Sequence, residues 1–252
     1  IVLVGVGGAS GFAEDAARWG VGEFALIDPD TVSEENLATQ QVYRRDIGRP
    51  KVECVAERIR DINPTATIVY HRKALDEFSD EDCQMELFGY QVTSFGPPMH
   101  PPLKRRITLL CGFTDDFYAQ ARINRLALEF GLPSLCAQVY REGRAAEVTF
   151  TFPGITRACH RCILSSRYKA YLEGRFKNDV GSQGCPLVAT ARLNALKGII
   201  ALAILHHGSN HPRWGHLLER IGGRNLCQIR MDPDLSETLG FAVFDRVFQN
   251  AD

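Results

Sequence analysis

Apolar residues along the chain fall into two kinds of run. Short continuous runs at 1–4, 24–28, 67–70, 107–111, 133–139 and 145–152 read as strands, and stretches whose apolar positions recur at helical period lie between them. The spacing predicts helices over 11–20, 51–62, 117–130 and 186–207. Asn63-Pro64 stops the second of these and Gly131 closes the third. Residues 29–50 form a long polar connection ending in Gly48-Arg49-Pro50. The tail after residue 210 is weakly patterned, with a strand predicted near 241–244. Strands that alternate with helices predict an α/β fold whose sheet is parallel at least in its first half.

The segment 79–106 breaks this rhythm. It holds Gly96-Pro97-Pro98 and Pro101-Pro102 with aromatics at Phe88, Tyr90 and Phe95. It reads as an irregular insertion over a compact core: either a lid or docking loop, or a disordered surface loop. The first strand opens at residue 1 with no turn before it, so we expect a segment preceding Ile1.

The chemistry begins where the first strand ends, at Gly5-Val6-Gly7-Gly8. Gly5 permits a tight turn, and Gly7 and Gly8 let backbone N–H groups approach a phosphate at the N-terminus of the following helix. Asp28, closing the second apolar run, is placed for ribose hydroxyls. Ser10 stands where a third glycine is expected, with Gly11 next. A glycine turn that binds nothing is the plain alternative.

Composition narrows the classes. The 252 residues suffice for one large α/β domain or two small ones, and the net charge of −1 gives no global basic field for nucleic acid or an anionic membrane. Basic clusters at Arg44-Arg45 and Lys104-Arg105-Arg106 read as solvated faces. The longest apolar stretch, 198–205, falls short of the about 18 residues of a membrane span and reads as part of a buried helix. The eight cysteines are too sparse for a secreted disulfide framework and point to cytoplasmic thiols.

Three further segments sharpen the glycine signal. The first is Leu26-Ile-Asp-Pro-Asp-Thr-Val-Ser-Glu-Glu-Asn-Leu37, followed by Gln40 and then Asp46-Ile-Gly-Arg-Pro-Lys51. The second is Gly112-Phe-Thr-Asp115, followed by Asn124 and Gly131-Leu-Pro133. The third is Cys159-His-Arg-Cys162, with Gly184-Cys-Pro186 opening a helix that carries Asn194-Ala-Leu-Lys197. Their order and spacing resemble the ThiF/MoeB family, the ubiquitin-activating-enzyme-like adenylyltransferases, from residue 1 to 207.

The resemblance implies a single adenylation domain over 1–252, Rossmann-like, with a largely parallel central sheet flanked by helices and later antiparallel strands. It implies ATP- and Mg2+-dependent adenylation of the C-terminal glycine carboxylate of a ubiquitin-like or sulfur-carrier protein. Thioester transfer to a conjugating enzyme is one output that the resemblance allows, and the family's members are usually homodimers. Carried over by position, Asp28 holds the ribose, Asn36 and Gln40 lie along the phosphates, and Lys51 contacts them. Asp115 positions Mg2+ and the reacting centre. Asp30 is either part of the nucleotide site or a turn residue. Cys185 is either a thiol that accepts the activated carboxylate as a thioester or attacks it for sulfur transfer, or a buried structural cysteine.

Several positions depart from the family pattern. Thr39 replaces the arginine that precedes Gln40, and Arg44 or Arg45 is the nearest substitute cation. Gly112 replaces an acidic residue, Asp116 an asparagine and Gln120 an arginine, with Arg122 nearby. Cys159 and Cys162 supply one pair at zinc spacing, but the usual second pair is absent, leaving a mixed zinc site, a metal-free pair or a disulfide open. Two competing functions follow. One is a non-catalytic scaffold of the same fold, favoured by Thr39 and Gly112. The other is a nicotinamide-dependent dehydrogenase, supported only by the glycine turn and Asp28.

Overall fold

In the computed structural model the described residues are 1–84, 107–174, 184–221 and 223–230, and every structural statement concerns these. Strand β1 (Val2–Val4) leads through the glycine turn into helix α1 (Ser10–Arg18), and β2 (Glu23–Ile27) follows. A helical turn α2 (Asn36–Thr39) and a 3-10 turn (Arg44–Asp46) interrupt the polar connection. Helix α3 (Lys51–Ile62) then has the bounds its periodicity predicts, and β3 (Thr67–His71) and the short α4 (Asp80–Asp82) complete the first half.

The second half runs β4 (Leu110–Gly112), α5 (Phe117–Glu129), β5 (Ser134–Tyr140) and β6 (Ala145–Thr151). It continues with α6 (His160–Ile163), α7 (Ser165–Leu172), α8 (Leu187–Leu205), α9 (Leu217–Ile221) and β7 (Leu226–Arg230). The seven strands form one sheet in the order β3-β2-β1-β4-β5-β6-β7. The pairs from β3 to β5 are parallel, and β5–β6 and β6–β7 are antiparallel. The expected mixture of a parallel half and later antiparallel strands is therefore present.

Alternation along the strands divides the core. Leu3 enters a cluster with Phe12 of α1, Val55 and Ile59 of α3 and Leu193 and Ile204 of α8. Its neighbours Val2 and Val4 point the other way, towards Ile123, Leu126 and Ala127 of α5. Leu3, Phe12 and Ile204 are wholly buried, each contributing about 1.5–3 kcal/mol relative to an exposed side chain.

Helix α8, which carries the 198–205 run, is 19 residues long and apolar enough to cross a membrane by length and composition. It packs instead along the sheet and against α1, with Ile200, Ala201, Ala203 and Ile204 buried. A side chain at Gly198 would strike the Trp19 ring, so this glycine sets how closely the two helices approach.

Helices α6, α7 and α9 and strand β7 were not expected from the sequence. β7 is a half-exposed edge strand whose five residues carry no long apolar run; it is held by its antiparallel register with β6. The predicted strand near 241–244 and most of the 79–106 insertion, from residue 85 on, lie outside the described residues.

Candidate active site

The strands β1, β2, β4 and β5 end at one cleft of about 670 Å³, where Val4, Ile27, Phe113 and Val139 form part of its wall. The carboxyl ends of parallel strands are where doubly wound sheets take ligands. Gly5, Gly7 and Gly8 line the cleft at the turn into α1. Gly5 has φ +82°, and a Cβ there would sit 2.7 Å from the Phe113 carbonyl oxygen. A Cβ at Gly7 would lie 2.7 Å from Gln40 Oε1. Among the described residues, that buried oxygen has no hydrogen-bond partner. The bare glycine and the unmet amide oxygen make a narrow polar cradle beside the turn.

Asp28 also reaches the cleft. One of its carboxylate oxygens accepts the Val6 N–H at 2.9 Å and the other the Asp30 N–H at 3.0 Å. Burial pushes its carboxyl above the ordinary range, and these donors together with Lys51 partly offset that. Lys51 opens α3 with its side chain buried, and its Nζ lies 2.8 Å from Asp30 Oδ2. The lysine is thus turned inward, and Asp30 pairs with it in the cleft wall.

Asp115 lines the cleft on the loop between β4 and α5. Two glutamines hold this loop by its backbone. Buried Gln120 donates to the Thr114 carbonyl at 2.7 Å, and Gln138 donates to the Asp115 carbonyl at 3.4 Å. Asp116 caps α5, accepting from the Tyr118 N–H at 2.9 Å. The glycine at 112 is closely packed: a Cβ there would be 2.7 Å from Ile123 Cδ1 and 3.3 Å from Cys136 Sγ, so a larger residue would require these side chains to shift. Arg122 lines the cleft too, donating to the Leu75 and Phe78 carbonyls and pairing with Asp80.

The opposite wall comes from α8 and the loop before it. Cys185, Thr190, Leu193 and Lys197 all line the cleft. The Cys185 thiol is buried, which raises it above its ordinary pKa. It packs on Gly143, where a Cβ would come within 2.8 Å of the sulfur. Thr39 packs towards Gly184, whose added Cβ would stand 3.1 Å from the threonine methyl. Asn194 donates to the Gly8 carbonyl at 3.2 Å, tying α8 to the glycine turn.

Gly5, Gly7, Gly8, Asp28, Asp30, Gln40, Lys51, Asp115 and Cys185 therefore meet in one cleft. Asn36 and Arg44 do not line it. Asn36 stabilises the turn before α2, accepting from the Ser33 N–H at 2.9 Å, and Arg44 is solvent-exposed on the outer side of the 3-10 turn. Cys159 and Cys162 also lie outside it, with sulfurs 3.6 Å apart. Burial raises Cys159, but hydrogen bonds from Cys162, Arg161 and Asn124 outweigh this and lower it overall. Among the described residues no third metal-ligating side chain joins the pair. His160 is buried with Nδ1 2.8 Å from the Tyr168 hydroxyl. Two thiols do not make the four-ligand set of structural zinc, so among the described residues the mixed zinc site, one of the three readings left open for this pair, is not completed.

Gln120, Gln138 and Lys197 were not recognised as site residues. In the sequence Gln120 stands where the family has an arginine, and Lys197 closes the Asn194-Ala-Leu-Lys197 motif. The available signal was a lysine within the most apolar helix of the chain.

With this geometry the family model described as the ThiF family matches residues 1–208. The chain belongs to the ThiF family. Among its relatives, it is 39% identical over 166 residues to the SAMP-activating enzyme E1 of Haloferax volcanii, covering 65% of this chain and 52% of that protein. It is 37% identical over 92 residues to the tRNA threonylcarbamoyladenosine dehydratase of Bacillus subtilis, covering 36% and 35%. The ubiquitin-like modifier-activating enzyme 5 of Dictyostelium discoideum matches at 26% over 164 residues, covering 65% and 41%. The chain thus spans between about a third and a half of these relatives' lengths. In fold it is similar to Escherichia coli MccB solved with ATP, with a TM-score of 0.58, 18% identity, and 92% of this chain and 64% of that one covered.

Proposed function

We propose that this chain uses ATP to adenylate a carboxylate, the C-terminal glycine carboxylate of a ubiquitin-like or sulfur-carrier protein. The observation that carries this reading is the convergence of the glycine turn, Lys51 and Asp115 in one cleft. A terminal carboxylate has a pKa of about 3.5 and is ionised at neutral pH, so no base is needed to make the nucleophile. Its oxygen forms a bond to the α-phosphorus, the bond to the bridging oxygen breaks, and pyrophosphate leaves; no proton moves. The work is to hold two anions together and to meet the departing charge.

The residues present fit a nucleotide. Gly7 and the unmet Gln40 oxygen leave space and a polar atom beside the turn. Asp28 stands at the end of β2 for a ribose, and Lys51 is inward-facing for phosphate. They also fit Mg2+, which proteins commonly hold through one or two carboxylates together with substrate phosphates; Asp115 is the carboxylate we assign. Bound there, Mg2+ would neutralise charge on the phosphates.

We assign Cys185 the second step, because it is the thiol in the cleft wall. Its sulfur bonds to the acyl carbon, the acyl–phosphate bond breaks, AMP leaves, and the thiol proton passes to the AMP phosphate. The SAMP-activating relative supports a protein substrate, and the free state of all eight cysteines supports a reducing, cytoplasmic setting. A homodimer and a conjugating enzyme downstream belong to the same proposal.

The test is ATP–pyrophosphate exchange with a C-terminal-glycine carrier encoded beside this gene. Carrier-dependent exchange that Asp115→Ala abolishes is the expected result. ATP binding and carrier binding without exchange would instead mark a non-catalytic partner. Thr39 favours that second reading, since it leaves its position without a cation.

A further inference from the structure

Among the described residues four cations line the cleft: Lys51, Lys73, Arg122 and Lys197. Lys51 pairs with Asp30, and Arg122 with Asp80. Lys73 is exposed, over the Phe78 ring and within the field of Asp82. Lys197 differs from all three. It is 3% exposed, midway along α8. Its Nζ stands 3.9 Å from the centre of the Phe113 ring and 5.8 Å from that of Phe12. Among the described residues no carboxylate pairs with it.

Burying an ammonium among aromatic rings without a counter-ion is costly, and nothing in the core requires it there. The position is informative. Phe113 is the residue whose carbonyl fixes Gly5, and Asn194, three residues before Lys197 on α8, donates to the Gly8 carbonyl. Lys197 thus packs on the residue that constrains Gly5, follows by one helical turn the residue that holds Gly8, and lines the same cleft as the glycine turn.

We propose that Lys197 is a phosphate-binding residue of this cleft, the counter-charge for the nucleotide's phosphates where Thr39 supplies none. This rests on the nucleotide-binding reading above and names a residue for it. A charged group that arrives as the partner of a buried ammonium makes a strong, charge-assisted hydrogen bond. Burial lowers Lys197 to about 7, so much of it is neutral in the empty cleft near neutral pH. An incoming phosphate favours the charged form. Cys111 on β4 is the titratable group that faces it, and its own thiol is pushed up to about 12, so it stays protonated throughout.

The experiment is calorimetric titration of the whole protein with ATP, AMP and adenosine at pH 8, in two buffers of different ionisation enthalpy. Wild type is expected to take up a proton as ATP binds. Lys197→Met is expected to lose that uptake and to bind ATP and AMP about tenfold more weakly or worse, with adenosine unchanged. Lys197→Arg, permanently charged, is expected to keep ATP affinity without proton uptake. Equal ATP affinity and equal proton uptake in wild type and Lys197→Met overturns the assignment. Equal weakening towards adenosine overturns it as well, since phosphate would then not be what Lys197 reads. Wild type that binds ATP in this Lys197-dependent way yet forms no acyl-adenylate refutes the adenylation reading alone.

Discussion

Lys51 Nζ and Asp30 Oδ2 lie 2.8 Å apart across the cleft wall, with the lysine side chain 9% exposed and the carboxylate 62% exposed. The pair joins the first turn of α3 to the end of β2, and the Lys51 N–H also donates to the Asp30 carbonyl at 3.0 Å. The cation is thus oriented before any nucleotide arrives. Losing one preorganised electrostatic contact of this kind costs about 100-fold or more in turnover. Lys51→Ala is accordingly expected to lower carrier-dependent exchange by that much. Asp30→Asn removes only an exposed partner, and such pairs are worth about 1 kcal/mol or less; its exchange rate is expected within about tenfold of wild type. Equal losses in both variants would mean that the pair, not the lysine, is what matters.

The backbone at Asp115 is held by the Gln120 amide on the Thr114 carbonyl and the Gln138 amide on the Asp115 carbonyl. Asp115→Asn keeps the shape of the side chain and removes its charge. Exchange is expected to fall by about 100-fold or more, and raising the Mg2+ concentration is expected to restore part of it. A variant with wild-type Mg2+ dependence would place the metal elsewhere.

The parallel half of the sheet was legible because its strands are short continuous runs, and those of β1, β2 and β4 are followed by the periodic helices α1, α3 and α5. Lys51 to Ile62 shows this best: apolar positions Val52, Val55, Ala56 and Ile59 are those that the fold buries. The glycine turn and Asp28 were legible because they follow directly from strand ends, whereas Lys51 and Asp115 came from the order of motifs that carries the family resemblance; the structure brings all of them to one cleft. Asn36 and Arg44 were not separable from turn residues, because a polar connection of irregular backbone carries no period to say which side faces the cleft. β7 was hidden for a similar reason: an edge strand with only half-buried residues leaves little pattern. Lys197 was passed over because its burial comes from the packing of α8 against α1 and the sheet, which are distant in sequence.

The Arg167–Glu147 pair binds α7 to β6 deep in the protein, with Nη1 and Oε1 3.0 Å apart and both side chains 4% exposed. Tyr140 shares the network through its hydroxyl, 3.0 Å from Arg167 Nη1. Arg167→Met would strand a buried carboxylate, at a cost of about 3–5 kcal/mol in unfolding free energy. Replacing Glu147 by Leu in the same chain removes the stranded charge and is expected to recover most of that loss. Urea unfolding of the three proteins checks this. A double variant as unstable as the single one would show that the network holds the fold by geometry and not by charge balance.

Lys197 also carries a stability prediction. An unfolded lysine titrates near 10.4, while the folded value is about 7 because of burial. Between those values the unfolded chain binds more protons than the folded one, so this residue makes stability rise with pH across that window. Below pH 7 the fold bears the full cost of the buried charge. Lys197→Met keeps the unbranched stem and removes the charge, so it is expected to be more stable than wild type at pH 7 by on the order of a few kcal/mol. The difference should shrink as pH is raised towards 10, and thermal unfolding across pH 6.5 to 10 measures it. A variant less stable than wild type at every pH would mean that the ammonium's contact with the Phe113 ring outweighs its desolvation, and that the lysine is there for the fold.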